Sequence, residues 1–167
     1  RDNPVQIVQQ YLKWADGYQE DQVTLVYDTM WNGTRFMAEN IARGIKQADP
    51  RVNLKLYNLA KSDRNDVMTE IFRSRAILVG SPTINRGVLT SIAGLLEEMK
   101  GLKFRNKKAA AFGCYGWSGE SVKTIKGQLE AAGFQVVDDG LRCLWNPDPK
   151  SIESCVEYGG KLAGLLK

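Results

Sequence analysis

The chain has 167 residues, 43% of them hydrophobic and 25% charged, with a formal net charge of +4 and a pI near 9.0. That is one domain's worth of ordinary globular composition, long enough for a layered core. It contains no histidine, so a Ser-His-Asp triad, a His-ligated metal and imidazole acid–base catalysis are all excluded within it.

The opening stretch, RDNPVQIVQQYLKW, predicts a helix capped by Asn3 and begun at Pro4. Val5, Val8, Tyr11 and Leu12, flanked by Ile7 and Trp14, form its apolar stripe. A helix ahead of the first strand reads as a connector over residues 1–20 from something upstream, or as a helix packing on its own domain over 21–167. The start lacks the apolar stretch of a secretory signal. No apolar run approaches the roughly 20 residues of a membrane span, so no membrane partner is expected.

Strands are predicted near residues 22–28, 52–57, 75–80, 108–113 and 134–138 plus 141–144. The third and fourth, AILVGS and AAAFGC, are continuous apolar runs of the kind covered on both faces. Between the strands, Met37, Ile41 and Ile45 mark a helix face, then Val67, Ile71 and Phe72, then Leu89, Ile92, Leu95 and Leu96. Val122, Ile125 and Leu129 mark a fourth, and Ile152, Cys155, Val156, Leu162 and Leu166 a fifth. This alternation predicts an α/β fold, a doubly wound five-stranded parallel sheet with helices on both faces.

Cys114, Cys143 and Cys155 make no C-x-x-C pair and fit a reducing cytoplasm better than a disulfide framework or a zinc ribbon. They read as small buried hydrophobes. The basic stretch KGLKFRNKKA (Lys100, Lys103, Arg105, Lys107, Lys108) has only Phe104 as an interleaved aromatic, so it reads as a solvated loop and not as a nucleic-acid patch.

In doubly wound sheets ligands bind beyond the carboxyl ends of the strands. Three loops lie there. In the first, Thr29 and Thr34 offer hydroxyls, Gly33 permits close approach, and the following helix presents unpaired N–H groups, a combination that suits a phosphate. It is neither G-x-x-x-x-G-K-[ST] nor G-x-G-x-x-G, which disfavours a nucleoside triphosphate or a dinucleotide. Arg35 either meets that phosphate or points outward.

The second loop, Ser81-Pro82-Thr83-Ile84-Asn85, exposes amides and carbonyls at a proline turn, as a planar ring with imide edges requires. The third, Tyr115-Gly116-Trp117-Ser118-Gly119, brings aromatics to the same edge, where Met30, Trp31 and Trp145 also gather. A phosphate at one end and a flat polar ring at the other describe flavin mononucleotide, FMN.

The loops TMWNGT, SPTIN and YGWSG resemble those of the flavodiiron proteins, and the resemblance covers nearly the whole chain. It implies a flavodoxin-like sheet of order 2-1-3-4-5. It implies a phosphate loop made by Thr29, Met30, Trp31, Asn32, Gly33 and Thr34. Ser81, Pro82, Thr83, Ile84, Asn85 and Gly87 would then line the flavin ring, and Tyr115, Gly116, Trp117, Ser118 and Gly119 would close its other side. Electrons would come from a rubredoxin or rubredoxin-like domain and pass to a diiron domain of the same chain or of a neighbouring subunit in a homo-oligomer. That domain's iron-binding histidines are outside this chain. Arg86 becomes a candidate tuner of the flavin potential. Two other classes share the topology: an FMN-dependent NAD(P)H:quinone oxidoreductase, and a flavin-free binding module such as a receiver domain. The last needs an acidic pocket, for which Asp28 is the only carboxylate near the first strand's end.

Overall fold

Asn3 and Pro4 open the first helix as predicted: the Asn3 side chain accepts a hydrogen bond from Gln6 N at 3.2 Å, and α1 runs over Pro4–Ala15. The computed structural model describes residues 3–166, so Arg1, Asp2 and Lys167 of the expected connector and domain lie outside the described residues. Then come β1 (Glu20–Tyr27), α2 (Gly33–Ala48), β2 (Asn53–Asn58), α3 (Arg64–Arg73), β3 (Ser74–Gly80), α4 (Thr90–Leu102) and β4 (Lys108–Tyr115). The chain continues through α5 (Ser121–Ala131), β5 (Gln135–Val136), β6 (Leu141–Leu144) and α6 (Pro149–Leu165).

All the strand pairs are parallel, in the order β2-β1-β3-β4 with a divided fifth position. There β5 pairs with Lys108 and Ala109, and β6 pairs with Phe112 through Tyr115. A turn separates the two pieces. Asp138 Oδ1 accepts hydrogen bonds from Gly140 N and from the Tyr158 hydroxyl, both at 2.9 Å. Gly140 has φ +79°, and a Cβ there would lie 2.6 Å from Ala111 O, so the turn needs glycine on both counts.

The alternation of side chains along β1 and β3 feeds two cores. Val23, Leu25, Ala76 and Leu78 pack under α2 and α6. Val26, Ile77 and Val79 pack under α3, α4 and α5 with Ile71, Leu95 and Ile125. The contact between α2 and α6 is made by glycines: a Cβ on Gly44 would sit 2.0 Å from Val156 O, and one on Gly159 2.2 Å from Ile41 O. Backbone therefore meets backbone there. The expected helix faces are present, although Leu89 precedes α4 as its N-cap and Leu166 follows α6 as its C-cap, so neither lies within its helix.

Lys107 corrects the reading of the basic stretch as wholly solvated. It is 3% exposed, and its Nζ donates to Phe72 O (2.9 Å), Ser74 O (2.5 Å) and Tyr18 O (3.4 Å) at the amino end of the sheet. Burial lowers its pKa to about 8. The hydrophobic stem and three carbonyl acceptors explain how a lysine fits where the sequence pattern suggested loop.

Candidate functional site

The carboxyl ends of β1, β3, β4 and β6 open on one edge, and the loops that leave them enclose a cleft of about 530 Å³. Met30, Trp31 and Gly33 come from the first loop, Pro82 and Thr83 from the second, and Tyr115, Gly116 and Trp117 from the third. A smaller cavity of about 320 Å³ continues past Thr83 and Trp117 to Ile84, Asn85 and Ser118. The three loops predicted from sequence thus meet.

At one end the head of α2 is bare. Asn32 occupies the N-cap with φ +63° and makes no side-chain cap, so the first-turn N–H groups of α2 lack the partner that a cap supplies. Thr29 Oγ1 is buried beside this end and has no hydrogen-bond partner. Its own N–H is held by Asp28 Oδ1 at 2.7 Å, and the Ser91 hydroxyl donates to Asp28 Oδ2. Thr34 is fully buried, with Oγ1 3.2 Å from Cys114 Sγ. The two threonines therefore differ: Thr29 is unpartnered, and Thr34 ties α2 to β4. Arg35 points outward and pairs with Glu39 at 2.7 Å, both half-exposed.

The second loop is braced from within. Ser81 is buried, and its hydroxyl donates to Pro82 O (2.9 Å) and accepts from Leu89 N (3.0 Å). Its hydroxyl shapes the loop. Thr83 Oγ1 donates to Ser121 Oγ at 3.0 Å and accepts from Ser121 N at 3.1 Å, which fixes the second loop to the start of α5. Ile84 and Gly87 exchange backbone hydrogen bonds around Asn85 (φ +48°) and Arg86 (φ +60°). Positive φ at both central residues defines a type I′ turn. Arg86 is 89% exposed, 3.9 Å from Glu120, and water screens it there.

The third loop turns at Gly119, φ +68°, where a Cβ would lie 3.1 Å from the Tyr115 ring. Trp117, 88% exposed, meets Trp145 edge-on with ring centroids 5.6 Å apart. Trp31, from the first loop, also lines the cleft and is 79% exposed. Large indoles left in water at the mouth of a cleft form an apolar rim that a flat ring can enter.

Cys114, Trp145 and Asn146 also line the cleft. Cys143 and Cys155 are buried as expected, but Cys114 is half-buried at the site, which corrects the reading of all three cysteines as core. Burial pushes the Cys114 thiol up, against an opposing hydrogen bond from Thr34. Asn146 Oδ1 would lie 2.9 Å from a Cβ on Gly33. Its place just past the end of β6 was the available signal, because cleft residues sit beyond strand ends.

The residues present fit a phosphate-bearing flat aromatic: an unpaired buried hydroxyl and a bare helix head, with three indoles around the same cleft. The sequence matches the flavodoxin family over residues 25–159, and the chain belongs to that family. It is 52% identical over 163 residues to the anaerobic nitric oxide reductase flavorubredoxin of Escherichia coli O1:K1, a match covering 98% of this chain and 34% of that protein. Its structural neighbours include flavodiiron proteins, among them the rubredoxin oxygen:oxidoreductase of Desulfovibrio gigas. That likeness has a TM-score of 0.87 at 33% identity over 95% of this chain and 39% of the other. A flavodoxin from the domain Archaea gives 0.77 at 29% identity over 87% of this chain and 98% of its own. The chain spans about a third of the length of the curated relatives it matches. FMN is the cofactor of the flavodoxin family, and this chain is a flavodoxin-like FMN module.

Proposed function

We propose that this domain is the electron-transfer module of a flavodiiron nitric oxide reductase, taking electrons from a rubredoxin or rubredoxin-like domain and passing them to a diiron site outside this chain. One observation carries the cofactor reading: the unpartnered, buried Thr29 hydroxyl beside the uncapped head of α2, at the end of a cleft rimmed by Trp31, Trp117 and Trp145. When bound there, FMN supplies the redox chemistry. Thr29 Oγ1 and the first-turn N–H groups of α2 would hold its phosphate, with Gly33 permitting close approach. Thr83, Ile84 and Asn85 would line its ring on one side and Tyr115, Gly116 and Trp117 on the other, and the indoles would exclude water from it.

The chain holds no histidine, so reduction of nitric oxide belongs to another domain, in the same chain or in a neighbouring subunit of a homo-oligomer. Identity to flavorubredoxin supports this reading. Three free thiols support a cytoplasmic setting, and among the described residues no helix is long and apolar enough to cross a membrane.

The test is the absorption spectrum of purified protein after FMN is added and the excess removed, followed by mixing with reduced rubredoxin. Close to one flavin per chain, bleached by rubredoxin faster than by NADH, is the expected result. A folded protein that retains no flavin overturns the cofactor reading. Flavin bleached by NADH and not by rubredoxin overturns the electron path.

A further inference from the structure

Asp28 is a buried carboxylate at the point where β1 ends and the first loop leaves the sheet. Its N–H donates to Gly80 O at 3.1 Å, so its backbone continues the pairing of β1 with β3. Its side chain reaches two ways. Oδ1 accepts from Thr29 N at 2.7 Å, and Oδ2 accepts from the hydroxyl of Ser91, the second residue of α4.

Two helices that follow strands of this edge, α2 and α4, start without a side-chain cap. A negative charge is favourable at such a head, and Asp28 brings one to the first turn of α4 through Ser91. The first turn of α2 contains no acidic residue, which leaves that head for an anion from outside. The head of α4 is also tied to the second loop, since Leu89 N donates to Ser81 Oγ at 3.0 Å. Asp28 therefore joins the loop expected around the phosphate to the element that braces the loop expected around the flavin ring.

Thr29 depends on this junction. Among the described residues its bond to Asp28 is the only hydrogen bond Thr29 makes, and its Oγ1 is buried without a partner. The residues that follow give little support, for Met30 is 49% exposed and Trp31 lies mostly in water. Residues 28–34 contain no lysine or arginine, and Arg35 is turned to Glu39. A cradle without a cation holds an anion by the placement of its donors, and a donor displaced by about 1 Å loses most of its bond.

We propose that Asp28 is a positioning residue for the flavin phosphate. Anchored on α4 through Ser91, it holds Thr29 so that the Thr29 hydroxyl meets the phosphate, and it acts through Thr29 without touching the ligand. The proposal rests on the FMN reading of the cleft.

The test is a titration of the full-length protein, freed of flavin, with FMN and with riboflavin, which carries the same ring and no phosphate. Wild type binds FMN more tightly than riboflavin. Asp28→Ala weakens FMN binding about tenfold, the size of one lost bond to a charged group, and leaves riboflavin binding unchanged. Asp28→Asn keeps an oxygen for Thr29 N and a polar group for Ser91, and it restores FMN binding to the wild-type level. Riboflavin weakened in step with FMN would make Asp28 merely structural, and FMN binding untouched by the alanine would remove it from the cradle; either result overturns the proposal. Asp28→Asn binding FMN as weakly as the alanine variant overturns it too, because charge and not placement would then decide. If Asp28→Ala does not fold, Ser91→Ala cuts the anchor alone and carries the same expectations and the same reversals. A folded wild type that binds neither flavin, or binds FMN no better than riboflavin, overturns the phosphate reading itself, and that result is seen before any variant is made.

Discussion

Thr34 Oγ1 sits 3.2 Å from Cys114 Sγ, so the head of α2 is fastened to the end of β4 by a hydroxyl–thiol contact. Thr29, five residues earlier, reaches the same end of the cleft with its hydroxyl unpaired. One threonine hydroxyl is spent within the fold and the other has no partner in it. The two can be separated experimentally.

Thr29→Val keeps the shape and removes the hydroxyl. Deleting an orphaned buried polar atom costs nothing in the flavin-free chain, and stability there holds or rises by about 1 kcal/mol. Affinity for FMN falls about ten- to a hundredfold, because a hydrogen bond to a charged group is worth about 1.5–3 kcal/mol. Thermal unfolding without flavin, set beside a flavin titration, checks both. A parallel loss of stability and affinity would mean that Thr29 is merely structural.

Two glycines in helices should respond in opposite directions to alanine. At Gly44 the new methyl would lie 2.0 Å from Val156 O, so α2 and α6 must part, costing about 3 kcal/mol or more. At Gly127, within α5, nothing lies within 4 Å, and the substitution stabilises by about 0.5–1 kcal/mol. Chemical denaturation of both variants decides the matter.

Arg86 holds φ +60° in a type I′ turn, where a side chain is strained and glycine is favoured. Arg86→Gly therefore raises stability by about 1 kcal/mol in the flavin-free chain. Its pairing with Glu120 at 3.9 Å, largely in water, offsets little of that. A midpoint potential of bound FMN unchanged by the substitution would remove Arg86 as a tuner.

Lys107 gives a pH signature. Its pKa falls from 10.5 to about 8 on folding, because burial disfavours the charged form. Between these values the unfolded chain binds the extra proton, so this residue's contribution to stability rises with pH. Below about pH 8 both states are protonated and the penalty is complete. Relative to Lys107→Met, the wild type should therefore gain stability from pH 8 towards 10.5. Comparison by difference cancels the opposing trend of Cys155, whose thiol is pushed up to about 12 by burial. A flat difference would show that Lys107 titrates as an ordinary lysine.

Periodicity made the architecture legible. Apolar runs located β3 and β4, and the carboxyl ends of the strands then located the three loops that close the cleft. The features that escaped depend on neighbours distant in sequence. Lys107 sits among charges in the chain but among carbonyls of residues 18, 72 and 74 in space. Cys114 and Asn146 meet only because β6 lies in register with the end of β4. The bracing of the second loop by the Ser81 hydroxyl, which donates to Pro82 O and accepts from Leu89 N, likewise depends on a residue eight positions away.

The division of the fifth strand position bears on how the molecule behaves in a crowded solution. An uninterrupted outer strand offers a row of unpaired N–H and C=O groups onto which another chain can add. Here that border is a two-residue strand, a turn held by Asp138 and Gly140, and a four-residue strand. Neither strand on that side is long enough to template a growing ribbon, so this border of the sheet resists edge-to-edge addition.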